Sequence, residues 1–426
     1  MVSKAANPVR ILGFDNWTGG KVHFERLFDA FAANGMNLDL VHLGSWGNDM
    51  GRPPEEWSGK LRIRDISYFG NASFPALLEA ERPDAVLLFS TDTFAHRAFL
   101  RHCRARKIPA VYVYHGIIKA QKNEGGRLYK TSFMAQVKFA LGRLPKALCH
   151  VWPSYMRALF ETRASLADWS RFGGDIIRGG LGKTGVTSAR DARTDRCGVY
   201  IEADVADAVT RYGFSREQVA VVGNPDLARF GLNSDLLGWA LARQGQEPVD
   251  VMYIDTGLIF TGWVFASHQD FFDHMVETRD RLAAVGKRLV FKPHPDHVRA
   301  GMAQKLQAAG IEICSSEDFV KRLKGCCAAI VETSTAALVP ALMGLPLFLA
   351  KYGKLSSLNF GEVLTSYPRS HHLSDLTDLT DALTSENALL DEPKTRAWIA
   401  DNSGPLPAED MPKRVVDIFR YLVATP

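Results

Sequence analysis

A chain of 426 residues is too long for a single ordinary core and fits two domains of about 200 residues each. With 23% charged and 46% hydrophobic residues the composition is globular, which excludes a disordered chain, and a net charge of +4 gives no overall nucleic-acid-binding character. The charge is local instead: residues 119–190 hold thirteen Lys or Arg against four Asp or Glu, whereas the rest of the chain holds 38 against 43.

Six cysteines lie scattered without a Cys-x-x-Cys spacing, so reduced thiols are expected rather than a disulfide framework or a zinc site. Met1 to Pro8 leads straight into a strand, and no signal peptide is expected. The longest apolar run, Ala336 to Ala350, contains Pro340, Gly344 and Pro346 and falls short of the roughly 20 residues that span a bilayer. The expected location is cytoplasmic, free or peripheral on the inner membrane face.

In chain order, Val9 to Phe14 reads as a strand that ends in the glycine turn Asp15 to Lys21, followed by a helix over His23 to Asn34. Further strands are expected at Leu38–Leu43, Leu61–Tyr68, Asp84–Ser90 and Ala110–Tyr114, the last running into His115-Gly116-Ile117-Ile118-Lys119. Residues 119–190 read as a basic, partly helical insertion. Cys197–Ile201, a helix over Asp204–Tyr212 and Val219–Gly223 then complete an N-terminal domain, 1–226. A crossing segment, 227–248, leads to a C-terminal domain, 249–405, and an apolar stripe (Val415, Val416, Phe419, Leu422) marks a terminal helix within 406–426. Strands alternating with helices throughout predict an α/β protein with parallel sheets covered on both faces.

Two stretches carry the functional signal. Arg288–Phe291 is a short buried strand that stops at Lys292-Pro293-His294-Pro295, because proline has no N–H to continue a sheet. His294 and Lys292 are thereby held past the carboxyl end of a strand, where open α/β sheets bind ligands. Cys327–Val331 is a second strand, running into Glu332-Thr333-Ser334-Thr335 and an expected helix, Ala336–Met343. Its hydroxyls and helix-start N–H groups would suit a phosphate. Asp255-Thr256-Gly257 ends the first strand of the same half and could cap that phosphate with its N–H groups or simply turn the chain.

These features resemble the GT-B glycosyltransferases, and within them the bacterial surface-polymer group of CDP-glycerol glycerophosphotransferases, polysialyltransferases and capsule Kdo transferases. The resemblance rests on four stretches. His115 to Lys119 is similar to a His-Gly-x-x-x-Lys loop with the lysine one position early. Val221 to Pro225 resembles the strand closing the N-terminal half. Lys292 to Pro295 is similar to the His-Pro motif, and Glu332 to Thr335 with Gly344-Leu345-Pro346 to the Ser/Thr motif. It covers roughly residues 80–116 and 197–352. It implies two Rossmann-like domains facing across a cleft, the C-terminal helix packing back, with the nucleotide donor in the C-terminal half and a glycan or glycolipid acceptor in the N-terminal half.

Transfer from such a donor requires stabilisation of the leaving phosphate and deprotonation of the acceptor hydroxyl. For the first task the expected donor-binding residues are Lys292, His294, Thr333, Ser334, Thr335, Asp255, Thr256 and Gly257, with Glu332 accepting from ribose hydroxyls. The chain has no Asp-x-Asp pair, so neither a metal nor another cofactor is expected beyond the nucleotide-activated sugar, with a CMP-linked acidic sugar (Kdo or sialic acid) as the leading donor. For the second task His115 and Asp15 are both candidates. Asp92 reads mainly as a cap for the following helix. The basic segment 119–190, interleaved with aromatics such as Trp152, Phe160 and Trp169, suits an anionic membrane surface or a polyanionic glycan, not nucleic acid. Other readings stay open: glycerophosphate transfer, a nucleotide-sugar 2-epimerase on the same fold, and a non-catalytic module in a polysaccharide assembly complex.

Overall fold

The structure, a computed structural model, describes residues 8–16, 18–47, 51–117, 144–179, 193–232, 236, 248–261, 264–294, 297, 298, 300–378 and 392–424. Of the basic segment only 144–179 falls within them; Lys119 and the remainder of 119–190 lie outside the described residues, as does most of the crossing 227–248.

Fourteen strands form two sheets among the described residues. The first has the order β3-β4-β2-β1-β5-β6-β7-β8, built from β1 (Val9–Asp15), β2 (Met36–His42), β3 (Glu55–Ser58), β4 (Leu61–Asp65), β5 (Ala85–Leu88), β6 (Ala110–Val113), β7 (Arg196–Val199) and β8 (Val219–Val221). The second has the order β11-β10-β9-β12-β13-β14, built from β9 (Asp250–Ile254), β10 (Arg288–Lys292), β11 (Glu312–Ile313), β12 (Cys326–Val331), β13 (Leu347–Ala350) and β14 (Ser370–Leu373). Every strand pair is parallel except β3 with β4. Central strands such as β5, β6, β9 and β13 are buried at every residue, as a sheet covered by helices on both faces requires. The expected two-domain α/β architecture is therefore present.

Helix α1 (Lys21–Ala33) buries Phe24, Leu27 and Phe31, one face at helical spacing. Against it lies the C-terminal helix Met411–Ala424, where Phe419 meets Phe31 edge-on at 5.2 Å between ring centroids. Arg414 of the same helix donates to the Val222 carbonyl at 3.1 Å. The last helix of the chain thus covers the first sheet, as the packing-back expectation required.

On the other face, α2 (Phe74–Glu81) and α3 (Phe94–Ala105) pack on β1 and β5, and α4 (Trp152–Glu161) lies over α3. Arg97 of α3 and Asp175 of α5 (Leu166–Gly179), both buried, pair at 2.8 Å, and Arg97 also donates to the Tyr155 hydroxyl at 3.0 Å. Three helices are thereby tied into one layer.

Candidate active site

In the second sheet β9 lies between β10 and β12, so its exit, Asp255-Thr256-Gly257, separates the two loops that carry the sequence signal. Strands in a sheet lie about 4.8 Å apart, which puts the β10 and β12 exits about 10 Å from each other rather than side by side. The β9 exit ties them together. Asp255 accepts from the Gly257 N–H at 2.8 Å and the His294 N–H at 2.8 Å, and it contacts Nδ1 of the buried His297. Glu332 accepts from Tyr253 Oη at 2.8 Å, and from the N–H and hydroxyl of Thr256 at 2.9 and 2.6 Å.

These bonds change the roles expected of several residues. The N–H of Asp255 donates to the Lys292 carbonyl at 3.1 Å, that of Thr256 to Glu332 and that of Gly257 to Asp255. All three are used within the protein, so the turn does not cap a phosphate with them. Glu332 is fully buried with both oxygens engaged, so it fastens the β9 and β12 exits and does not reach out to a ribose. Burial first, and then the neighbouring Asp255 carboxylate, push its pKa up to about 8. Lys292 turns back: its ammonium donates to the Pro293 carbonyl at 3.0 Å and lies 5.7 Å from the Phe319 ring centroid, and burial lowers its pKa.

The helix after Glu332 is also shorter than expected. A 3-10 turn, Thr335–Ala337, precedes a five-residue helix, Leu338–Leu342, and the Ser334 hydroxyl accepts from the Ala336 N–H at 3.1 Å. Thr333 is buried; the Thr335 side chain lies outside what is described.

His294 is fixed by more than its backbone bond. Gly257 has φ +73°, and a Cβ there would stand 2.9 Å from His294 Nδ1 and 3.0 Å from Cγ. Only glycine lets the imidazole pack on the β9 turn. Its left-handed backbone and that contact ask for the same residue.

The first sheet presents a second polar edge. Asp15, His42 and Asp65 end β1, β2 and β4 and are register partners, so all three project from the same sheet face. Asp15 is 5% exposed, accepts from the Asn16 N–H at 2.6 Å, and leaves no room for a side chain at Gly20, where a Cβ would be 2.2 Å from Asp15 Oδ2. His42 Nδ1 accepts from the Gly44 N–H at 3.0 Å and lies 3.2 Å from Asp65 Oδ2; against its burial, the His42 contact and the hydrogen bonds from the Ser45 and Ser67 N–H groups hold the Asp65 pKa well below the ordinary carboxylate range.

His115 is exposed, and its Nδ1 lies 2.7 Å from the Phe89 carbonyl. A carbonyl accepts, so Nδ1 carries the hydrogen, and the neutral ring has its lone pair on Nε2. The His23 ring lies 6.0 Å away, and burial, with help from Arg26 and His115, lowers its pKa to about 3. Burial likewise lowers His96 to about 3, where Nδ1 meets the Thr93 hydroxyl at 2.8 Å. His23 Nδ1, His42 Nε2, His96 Nε2 and Thr91 Oγ1 are buried with no partner among the described residues. Asp92 does not cap α3; Thr93 does, and Asp92 accepts from the Tyr212 hydroxyl at 3.0 Å.

Gly20, His42, Asp65 and His297 went unnoticed in the sequence. Gly20 was visible only as one of two adjacent glycines. His42 and Asp65 end strands that already carry polar residues (Asn37 and Asp39; Arg62 and Arg64), so the sequence pattern does not single them out.

The sequence matches no family model and no curated protein. Among solved structures, the chain is similar to the wall teichoic acid polymerase TagF, at 9% identity, over 98% of this chain and 90% of that one, with a TM-score of 0.51. It is also similar to the UDP-GlcNAc 2-epimerase of Methanocaldococcus jannaschii in complex with UDP-GlcNAc and UDP (10% identity, 97% and 100% covered, TM-score 0.46) and to S. aureus MnaA with UDP (12%, 98% and 98%, 0.48). The chain has the GT-B fold.

Proposed function

We propose that this protein is a glycosyltransferase that moves a sugar from a nucleotide-activated donor to a bacterial surface glycan, without a metal. The observation that carries the reading is the tied set of exits from β9, β10 and β12. Buried Asp255 holds the His294 backbone at the sheet's carboxyl edge, and buried Glu332 fastens the adjoining β9 exit through Thr256. A preorganised imidazole of this kind suits the charge that develops on a leaving phosphate. The GT-B fold, shared with a polymerase of a surface polymer, supports the same reading.

In this proposal the donor half contacts the phosphate through His294 and Thr333, while Asp255, Gly257, Glu332 and His297 are positioning residues. Asp15 or His115 removes the acceptor proton: Asp15 as a buried, fixed carboxylate, His115 through Nε2. The donor we infer is a CMP-linked acidic sugar such as Kdo or sialic acid. The acidic residues of the donor turn face inward, which leaves an acidic sugar without their repulsion.

Thermal shift with CMP, CDP, UDP and GDP tests the site, since a ligand that binds the native state raises the melting temperature. CMP should give the largest rise, and His294→Ala should remove it with the unliganded melting temperature unchanged. No shift with any nucleotide refutes the proposal. Incubation with UDP-N-acetylhexosamine and no acceptor separates the transferase from an epimerase, which would convert it.

A further inference from the structure

We propose that α4, α5 and the turn between them dock the protein on an anionic lipid surface. The inference goes beyond the transferase reading and is tested without nucleotide, so the two fail separately. Residues 144–179 carry Leu148, Met156, Phe160, Leu166 and Ile177 as exposed apolar side chains, the last three at 79%, 88% and 85%. Such a concentration marks an interaction surface. Met156 and Phe160 are one helical turn apart, and Phe160 and Leu166 border the α4–α5 turn. Leu166 and Ile177 are eleven residues apart, three turns of α5, so both point to one side of it.

This exposure does not come from a loosely attached helix pair. The opposite sides bury Tyr155, Leu159 and Phe172 against α3, and the Arg97–Asp175 pair pins α5 to the same layer. A rigid mount therefore presents an apolar face outward.

Charge selects the occupant. Residues 144–179 hold five basic residues against three acidic ones, within a stretch of sequence, 119–190, that holds thirteen against four, in a chain whose remainder is slightly acidic. Arg163 and Arg157, the latter paired with Glu161 at 2.6 Å, are exposed beside Met156, Phe160 and the turn. Apolar side chains entering the acyl boundary with cations at the phosphates is the pattern of an interfacial helix. A polyanionic glycan would use the cations, but the aliphatic Leu166 and Ile177 give it no flat ring to stack on. A second copy of the chain would bring like charge against like. The segment also forms the β6–β7 crossover, which begins just beyond His115, so a docked protein would have that edge of the first sheet near the lipid.

Co-sedimentation of the full chain with phosphatidylglycerol–phosphatidylcholine vesicles, against phosphatidylcholine alone, tests this at low and high salt. The expected result is binding to the anionic vesicles that weakens with salt. The triple variant Phe160→Ser, Leu166→Ser, Ile177→Ser should lose about tenfold or more in partitioning, since each side chain forfeits apolar transfer. Trp57→Ser, an exposed apolar site outside the segment, should bind as the unaltered chain does. Absence of binding to anionic vesicles, equal binding by the triple variant, or a concentration-dependent dimer that the triple variant abolishes would each overturn the proposal. A circular-dichroism melt of the triple variant checks that it folds.

Discussion

Substituting Gly20 by alanine moves one carboxylate and little else. Gly20 has φ −67° and ψ −13°, a right-handed helical backbone that alanine adopts more readily than glycine, by about 0.5–1 kcal/mol. The new methyl would stand 2.2 Å from Asp15 Oδ2 and 2.8 Å from its Cγ. Ordinary contact is near 3.5 Å, so the carboxylate must retreat by about 1 Å. A misplacement of that size costs a reacting group about 100-fold. If Asp15 takes the acceptor proton and the donor binds in the other half as proposed, Gly20→Ala should lower kcat by about 100-fold with the donor KM unchanged. The assay is nucleotide release with acceptor present, run beside Asp15→Asn and His115→Ala, with melting curves for all three. A Gly20→Ala enzyme that keeps its kcat within about twofold refutes the reasoning for Asp15 and, if His115→Ala is inactive, assigns the proton to His115.

In the donor half, Gly257→Ala combines a left-handed backbone, costing about 1–2 kcal/mol, with a methyl driven into His294; the melting temperature should fall by a few degrees and the CMP shift should vanish. A retained CMP shift would show that His294 does not hold the phosphate. Glu332, raised from 4.5 to about 8 in the folded protein, binds a proton that the unfolded chain has released. Stability should therefore be full below pH 4.5 and decline, at up to about 1.4 kcal/mol per pH unit, until about pH 8. Glu332→Gln should flatten that decline in chemical denaturation, and an unchanged slope would assign it to other groups. Arg97→Met breaks the buried pair with Asp175 and should cost about 3–5 kcal/mol by denaturant titration. Adding Asp175→Leu should recover much of that loss; no recovery would show that packing, not charge, is what Arg97 supplies.

The parallel strands were legible because runs such as Asp84 to Ser90 are buried on both faces, and two faces of burial write a continuous apolar word. The strands that escaped notice lack that word. β3, Glu-Glu-Trp-Ser, is an antiparallel edge with Trp57 exposed, and β14, Ser-His-His-Leu, is the far edge of the second sheet. Of the site, the loops were legible and their bonding was not. β9 follows the crossing segment in the chain yet lies between β10 and β12 in the sheet. Strand order therefore decides that Glu332 meets Thr256 and Asp255 meets His294, and spacing along the chain cannot show it. Asp92 failed for a local reason: the next residue, Thr93, has the extended backbone and the hydroxyl that a cap needs.

The two carboxyl edges treat their acids differently, and this bears on which half performs which task. In the second sheet Asp255 and Glu332 are turned inward and hydrogen-bonded, so the edge presents His294 and loop backbone. With both of these acids bonded inward, coordination of a divalent ion by either would require it to abandon a buried bond. In the first sheet Asp65 is held ionised behind His42, with Asp15 the next acid along the same row and His115 two strands beyond it. Negative charge there repels a donor phosphate but favours the protonation of a neighbouring base. On the proposed reading, charge state sorts the substrates: phosphate to the edge where burial favours a protonated Glu332, hydroxyl to the edge where Asp65 stays ionised.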